Sequence, residues 1–169
     1  VTRQDVIDFL VGNIQAGEDA PEGISTEALG EVQGCIIDEA KAETGDSYEE
    51  ILNEAKLFNE DESRDFKYEG IADEVFTECM ADSREVLEFS MNDLLPEDSQ
   101  VDLSGADNFH REALAAMINS SYAEVFGEMS EDVGYCIADY IADNSGDSHR
   151  DILVHLLDGD NKHDDLLGQ

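Results

Sequence analysis

Any fold this chain adopts must close around a core while tolerating its own charge, because 43 aspartates and glutamates stand against nine lysines and arginines, a formal charge of -34. The cations (Arg3, Lys41, Lys56, Arg64, Lys67, Arg84, Arg111, Arg150 and Lys162) are scattered along the sequence. Without a basic patch to meet phosphates, direct nucleic-acid binding is not expected. Self-repulsion also weakens the compact state. Yet Leu, Ile, Val and Phe number 42, a quarter of the chain and more than a disordered polyanion carries. The chain should therefore fold, and its 169 residues suit one domain or two small ones, read here as a single helical domain over 1–169.

No apolar run approaches the roughly 18 residues of a membrane span, and VTRQDVIDFLVGN reads as an amphipathic segment rather than a secretory leader. The expectation is a soluble protein of the cytoplasm, the host's if phage-encoded, with no membrane partner. Cys35, Cys79 and Cys136 are too few and too far apart for a disulfide framework and form no CxxC pair, so they read as small buried hydrophobes.

Apolar residues recur at three- and four-residue spacing, while alternation is rare, so the fold class is all-α: a bundle of about six to seven helices. A first helix runs from Thr2 to about Gln15. A second starts near Ser25 and stops at Gly45, and a third opens on Ser47 and Glu50 at capping-box spacing. From Ser63 to Pro96 the apolar set, including Ile71, Val75, Phe76, Cys79, Val86, Leu87 and Met91, keeps helical phase. Unbroken, that helix would be about 48 Å long, with Gly70 and the Asp82/Glu85 capping box as candidate breaks. A linker at 96–105 precedes helices at about 107–127, 130–143 and 148–158, and 159–169 reads as a frayed tail.

The chain also repeats itself. An offset of 101 lays VQGCIIDEAKAETGDSYEEIL (32–52) on VGYCIADYIADNSGDSHRDIL (133–153) without a gap, with nine of 21 positions identical. Each copy reads as a helix, a glycine able to end it in the left-handed conformation, an Asp-Ser start and a second helix. The fold is therefore expected to contain a duplicated αα-hairpin, within pseudo-repeat units at about 25–58 and 107–158.

Motifs that would carry chemistry are missing. The four histidines form no HExxH or ExxH; DGDNKHDD has Lys162 and His163 where a calcium loop needs an oxygen ligand and Gly; and no GxxxxGK, GxGxxG or GxSxG occurs. No enzyme activity, metal or cofactor is expected.

The charge itself remains to be explained. A carboxylate-covered surface is a solvation device in salt-rich cytoplasm, so one reading is a salt-adapted, haloarchaeal or halophilic viral, structural or interaction protein without mimicry. The other is that the carboxylates imitate nucleic-acid phosphates. Duplex DNA carries one charge per about 1.7 Å, so this net charge corresponds to about 58 Å of duplex. Helical spacing can order such charges: Glu62, Asp65, Glu69 and Asp73 form one row on the long helix, and Glu74, Glu78, Glu85 and Glu88 a second. Phe58, Phe66 and Phe89 lie off the apolar stripes and read as core rather than as a docking patch.

YAEVFGEMSED (122–132), preceded by a helix containing His110 and 113–119, resembles the central helix of the Ocr-like acidic anti-restriction proteins of podophages. GDSYEEILNEA (45–55) resembles related short phage proteins with an acidic helix, a turn and a Tyr-containing second helix. The two stretches cover about an eighth of the chain. The resemblance implies an all-helical, dimeric phage or mobile-element product that blocks a restriction or other defence enzyme by posing as DNA. Its matched acids, Glu49, Glu50, Glu54, Glu124, Glu128, Glu131 and Asp132, become candidate contacts. The expected partner is thus a DNA-binding protein with a cationic groove, met by an acidic inhibitor that performs no chemistry.

Overall fold

A computed structural model of the chain describes residues 1–159, and among them there are eight α-helices and no strand. They are α1 (Arg3–Ala16), α2 (Thr26–Thr44), α3 (Tyr48–Glu60), α4 (Glu69–Asp82), α5 (Arg84–Leu94), α6 (Phe109–Phe126), α7 (Glu131–Ser145) and α8 (His149–Leu157), with one 3-10 turn at Glu97–Ser99. The expected frayed tail lies outside the described residues from 160 onward.

The stretch 63–96 is not one helix. Its first helix starts only at Glu69, ends at Asp82 and is followed by α5 from Arg84, so of the two expected breaks the one near Asp82 is used. That break also divides the chain. Residues 1–83 and the described residues from 84 onward cluster as two compact units, each with its own core.

In the first unit Val6, Ile7 and Val11 of α1 meet Leu29, Ile37 and Ala40 of α2 and Ile51 and Leu52 of α3. In the second, Leu114 and Ile118 of α6 meet Ala138 and Ile141 of α7, Ile152 and Leu153 of α8, and Leu87 and Met91 of α5. Each buried Leu or Ile contributes about 1.5–3 kcal/mol.

The duplicated hairpin is present, down to its turn atoms. Gly45 (φ 75°, ψ 4°) ends α2 and Gly146 (φ 76°, ψ 0°) ends α7, each donating its N–H to the carbonyl four residues back, of Lys41 and Ala142. These φ values are open to glycine at little cost. The Asp46 N–H donates to Thr44 Oγ1 at 3.2 Å and the Asp147 N–H to Ser145 Oγ at 3.1 Å. Ser47 and Ser148 then cap α3 and α8 by accepting from the N–H groups of Glu50 and Asp151.

The equivalence reaches beyond the matched residues. Arg3 of α1 donates through Nε and Nη2 to both oxygens of Asp38 at 2.8 and 3.0 Å, and Arg111 of α6 does the same to Asp139 at 2.9 and 2.9 Å. Asp38 and Asp139 are partners in the repeat, so α1–α2–α3 and α6–α7–α8 are two versions of one three-helix motif.

The fourth helix differs between the units. In the first, α4 packs on α2 and is bonded to it by a Cys35–Cys79 disulfide, with Cα atoms 5.6 Å apart. In the second, α5 precedes the motif and packs on α6, while Cys136, at the place of Cys35, is free and exposed. The reading of all three cysteines as plain buried hydrophobes is thus corrected. Disulfides persist in oxidising surroundings and, inside cells, chiefly in hyperthermophiles, so the cysteines do not support the cytoplasmic expectation. Among the described residues no helix is long and apolar enough to cross a membrane.

Closing a 44-residue loop removes chain entropy from the unfolded state, about 4 kcal/mol in the loop-closure model. Reduction, or the paired change Cys35→Ser with Cys79→Ser, should therefore lower the stability of residues 1–83 by up to about this amount and leave the second core unaffected. Native-state hydrogen exchange with and without reductant separates the two. Equal loss of protection in both units, or none, would contradict the assignment.

Candidate functional site

The surface is anionic because the few cations are far outnumbered and are engaged with their own chain. All eight cations among the described residues engage their own chain, and the ninth, Lys162, lies outside them. Besides the two bidentate arginines, Lys67 pairs with Asp46 at 2.6 Å, Arg64 with Glu54 at 3.4 Å and Arg150 with Asp151 at 3.0 Å. Lys41 donates to the Asp46 carbonyl oxygen and lies over Tyr48, Lys56 lies over Phe9, and Arg84 donates to the carbonyl oxygens of Ser104 and Ala106. The cations thereby neutralise five carboxylates, Asp38, Asp46, Glu54, Asp139 and Asp151, and leave most others facing water.

The densest result is the outer face of α4. Val75, Cys79 and Ala81 turn inward, while Glu69, Asp73, Glu74, Glu78 and Asp82 are all exposed. Five carboxylates on 14 residues, about 21 Å of helix, amount to one per about 4 Å of axis, near the 3.4 Å per charge of one DNA strand, and they stand in two rows, Glu69 with Asp73 and Glu74 with Glu78 and Asp82. Phe76, which periodicity placed on the apolar stripe, is 49% exposed among them. Of the other aromatics in question, Phe58 and Phe66 pack against each other at 5.1 Å, whereas Phe89 is 39% exposed.

The two expected rows are only partly realised. Glu62 and Asp65 fall in the loop before α4, so Glu69 and Asp73 alone keep helical spacing. Glu74 and Glu78 lie on α4, but Glu85 and Glu88 belong to α5 in the other unit, and no continuous second row exists. On α3, Glu49 is exposed, but Glu50 accepts from the Ser47 N–H and hydroxyl, which holds its carboxyl below the usual range. Glu54 accepts from Arg64 and from the Lys67 N–H. These two are structural. Glu124, at the end of α6, is exposed; Glu128 sits in the α6–α7 turn; Glu131 and Asp132 occupy the first turn of α7, where the helix dipole favours anions.

Glu128 and Glu131 also line a groove of about 620 Å³ beside α6 and α7, together with Asp98, Asp102 and Glu112. Tyr135 donates its hydroxyl to Glu112, a hydrogen bond that, with partial burial, raises the phenol to about 12. Five carboxylates round one recess suit an ammonium or guanidinium group. Sequence reasoning missed Asp98, Asp102 and Glu112, because the first two lie in the stretch read as a linker and the third is one acid among many. Among the described residues no group of three or more His, Cys, Asp or Glu is placed to hold a metal ion. Comparison of the chain with protein-family models, curated proteins and solved structures gives no match.

Arg111 holds the Asp139 carboxyl down at about 2, with a smaller contribution from His149 at 3.0 Å. Because the folded value lies below the ordinary 3.8, the pair stabilises fully above about pH 4 and its contribution is lost as pH falls toward 2. Asp139 is 44% exposed, so solvent screening limits the effect to about 1 kcal/mol or less. Carboxyl NMR should show Asp139 titrating near 2 in the native chain and returning toward 3.8 in Arg111→Met. An unchanged midpoint in the variant would show that the guanidinium is not the cause.

Proposed function

We propose that the chain is an acidic decoy that binds the DNA-binding channel of a protein partner, a restriction or other anti-phage defence enzyme, and inhibits it without chemistry. The observation that carries this reading is the α4 face, where exposed carboxylates recur at nearly the linear charge density of one DNA strand. A channel lined with Lys and Arg would meet such a face as it meets a phosphate track, with a fast, salt-sensitive on-rate. The anionic groove of the second unit adds a recess for a projecting Arg or Lys. The resemblance of 122–132 to the Ocr-like proteins points to the same class of target.

A second reading, adaptation to high salt, is favoured by the spread of exposed acids away from α4, including Asp5 and Asp8 on α1 and Glu27, Glu31, Glu39 and Glu43 on α2. The two readings predict opposite responses to salt. A decoy is folded in dilute buffer and loses its partner as salt rises, whereas a salt-adapted protein needs molar salt to fold.

The test measures DNA cleavage by purified restriction endonucleases with the chain as competitor at about 50 and 200 mM KCl, alongside thermal melting at about 0.1 and 2 M KCl. The decoy should inhibit at least one of them at low salt and lose about tenfold or more in affinity at the higher salt. The fourfold change Glu69→Gln, Asp73→Asn, Glu74→Gln and Glu78→Gln should cost about tenfold, or about 1.4 kcal/mol. A chain that folds only near 2 M KCl, or whose inhibition ignores the four substitutions, would defeat the decoy reading.

A further inference from the structure

The first unit carries a recess of a different kind from the acidic faces. A cavity of about 390 Å³ opens between α1, α2, α3 and the loop before α4. That volume falls within the roughly 300–1,000 Å³ of small-molecule clefts. Helical spacing brings Leu10 and Ile14 of α1 and Ala55 and Phe58 of α3 to it, and Phe66 of the loop packs on Phe58 with ring centroids 5.1 Å apart.

The polar part of the lining is three primary amides, Asn13, Gln33 and Asn59, with Glu62 as its one carboxylate. Asn13 and Gln33 are half-buried and Asn59 is exposed. Among the described residues, none of these three side chains is hydrogen-bonded within the chain. Amides elsewhere have structural work: Asn92 exchanges two hydrogen bonds with the Val101 backbone, Gln100 donates to the Asn92 carbonyl oxygen, and Asn108 caps α6. The second copy of the motif also does not reserve this place for an amide. Gly134 stands there in register with Gln33, and α6 approaches so closely that a Cβ would meet the Ala115 carbonyl oxygen and the Asn119 amide. Gln33 at the recess is therefore not something the motif needs in order to fold.

Two requirements limit what the recess can take. A plain hydrocarbon would cover the apolar floor but strip water from the amides without replacing their hydrogen bonds, which opposes binding. A flat ring with donors and acceptors on its edge satisfies both parts. Each amide offers two donors and an acceptor, Asn and Gln pair with the adjacent donor and acceptor of adenine, and the faces of a base stack on aromatic side chains. Charge sets the second limit, because Glu62 at the rim and a net charge of -34 oppose a phosphate.

We infer that this recess binds an uncharged planar nitrogen heterocycle of the nucleobase class, with its ring on Phe58 and Phe66 and its polar edge on Asn13, Gln33 and Asn59. The site needs neither a protein partner nor the acidic face of α4, so this inference and the decoy reading fail separately.

The experiment titrates the full chain at about 0.1 M KCl with adenine, adenosine, AMP and indole, following side-chain amide and aromatic resonances by NMR. Expected with adenine and adenosine are saturable shifts of the Asn13, Gln33 and Asn59 amide signals and of both phenylalanine rings, with midpoints below about 1 mM. AMP should bind about tenfold more weakly and recover as KCl rises to about 1 M. Indole, which has the ring but a single donor, should bind about tenfold more weakly at either salt. Asn59→Leu, at an exposed position, and Gln33→Leu should each weaken adenine about tenfold, with circular dichroism and thermal melting confirming that they stay folded. No shift with adenine or adenosine at about 5 mM, indole or AMP bound as tightly as adenine, or titrations indifferent to the leucine variants would each overturn the inference.

Discussion

The scarcity of positive charge is the constraint from which the rest follows. With so few cations for so many carboxylates, surface neutralisation is not available, and among the described residues several Lys and Arg are placed where they join two segments. Arg3 and Arg111 each fasten the first helix of a motif to its second by a two-pronged contact that a lysine cannot make. Lys67 and the Tyr68 hydroxyl both converge on Asp46, tying the loop before α4 to the hairpin turn. Any one such contact, screened by solvent, contributes little by itself. Their modest combined effect leaves burial of Leu, Ile and Val as the main cohesive force and the outer faces predominantly anionic.

Much of the architecture was legible because local signals and periodicity agreed. Gly45 and Gly146, with Ser47 and Ser148 two residues on, specify hairpins by backbone rules that operate within a few residues. The core swap was legible only in structure: Ile37 and Ala40 of α2 become Ala138 and Ile141 of α7, large and small exchanged on one buried face, which conserves volume in a close-packed interior. The shared arginine could not be seen at an offset of 101, because Arg3 lies 35 residues from its aspartate and Arg111 only 28 from its own. The unit boundary was hidden by apolar phase that runs unbroken through Ser83.

The candidate site was less legible for a related reason. A carboxylate used as a cap, such as Glu50, and one used to hold a loop, such as Glu54, look in sequence the same as one facing water. Spacing alone assigned Glu62 and Asp65 to a helix that begins only at Glu69, and it joined Glu78 to Glu85 across a break. Phe76 shows the limit of helical phase near a junction: it matches the apolar stripe in register, yet it stands on the acidic face because α4 packs with Val75 and Cys79 inward.

The Cys35–Cys79 bond acquires its meaning from that same face. α4 carries five acids and no cation, so its own like-charged pairs oppose helix formation by a few tenths of a kcal/mol each, and α2 beneath it carries Glu31, Asp38 and Glu39. A helix of this kind is the segment an acidic protein is most prone to release, particularly in dilute salt where repulsion is least screened. A covalent tether is indifferent to ionic strength. It holds the most charge-dense helix on its motif under the low-salt conditions in which an anionic face attracts a cationic partner most strongly, which a hydrophobic contact alone would do less securely. The second unit, whose fourth helix α5 packs instead on α6, has no counterpart of that strain and retains its equivalent thiol unbonded.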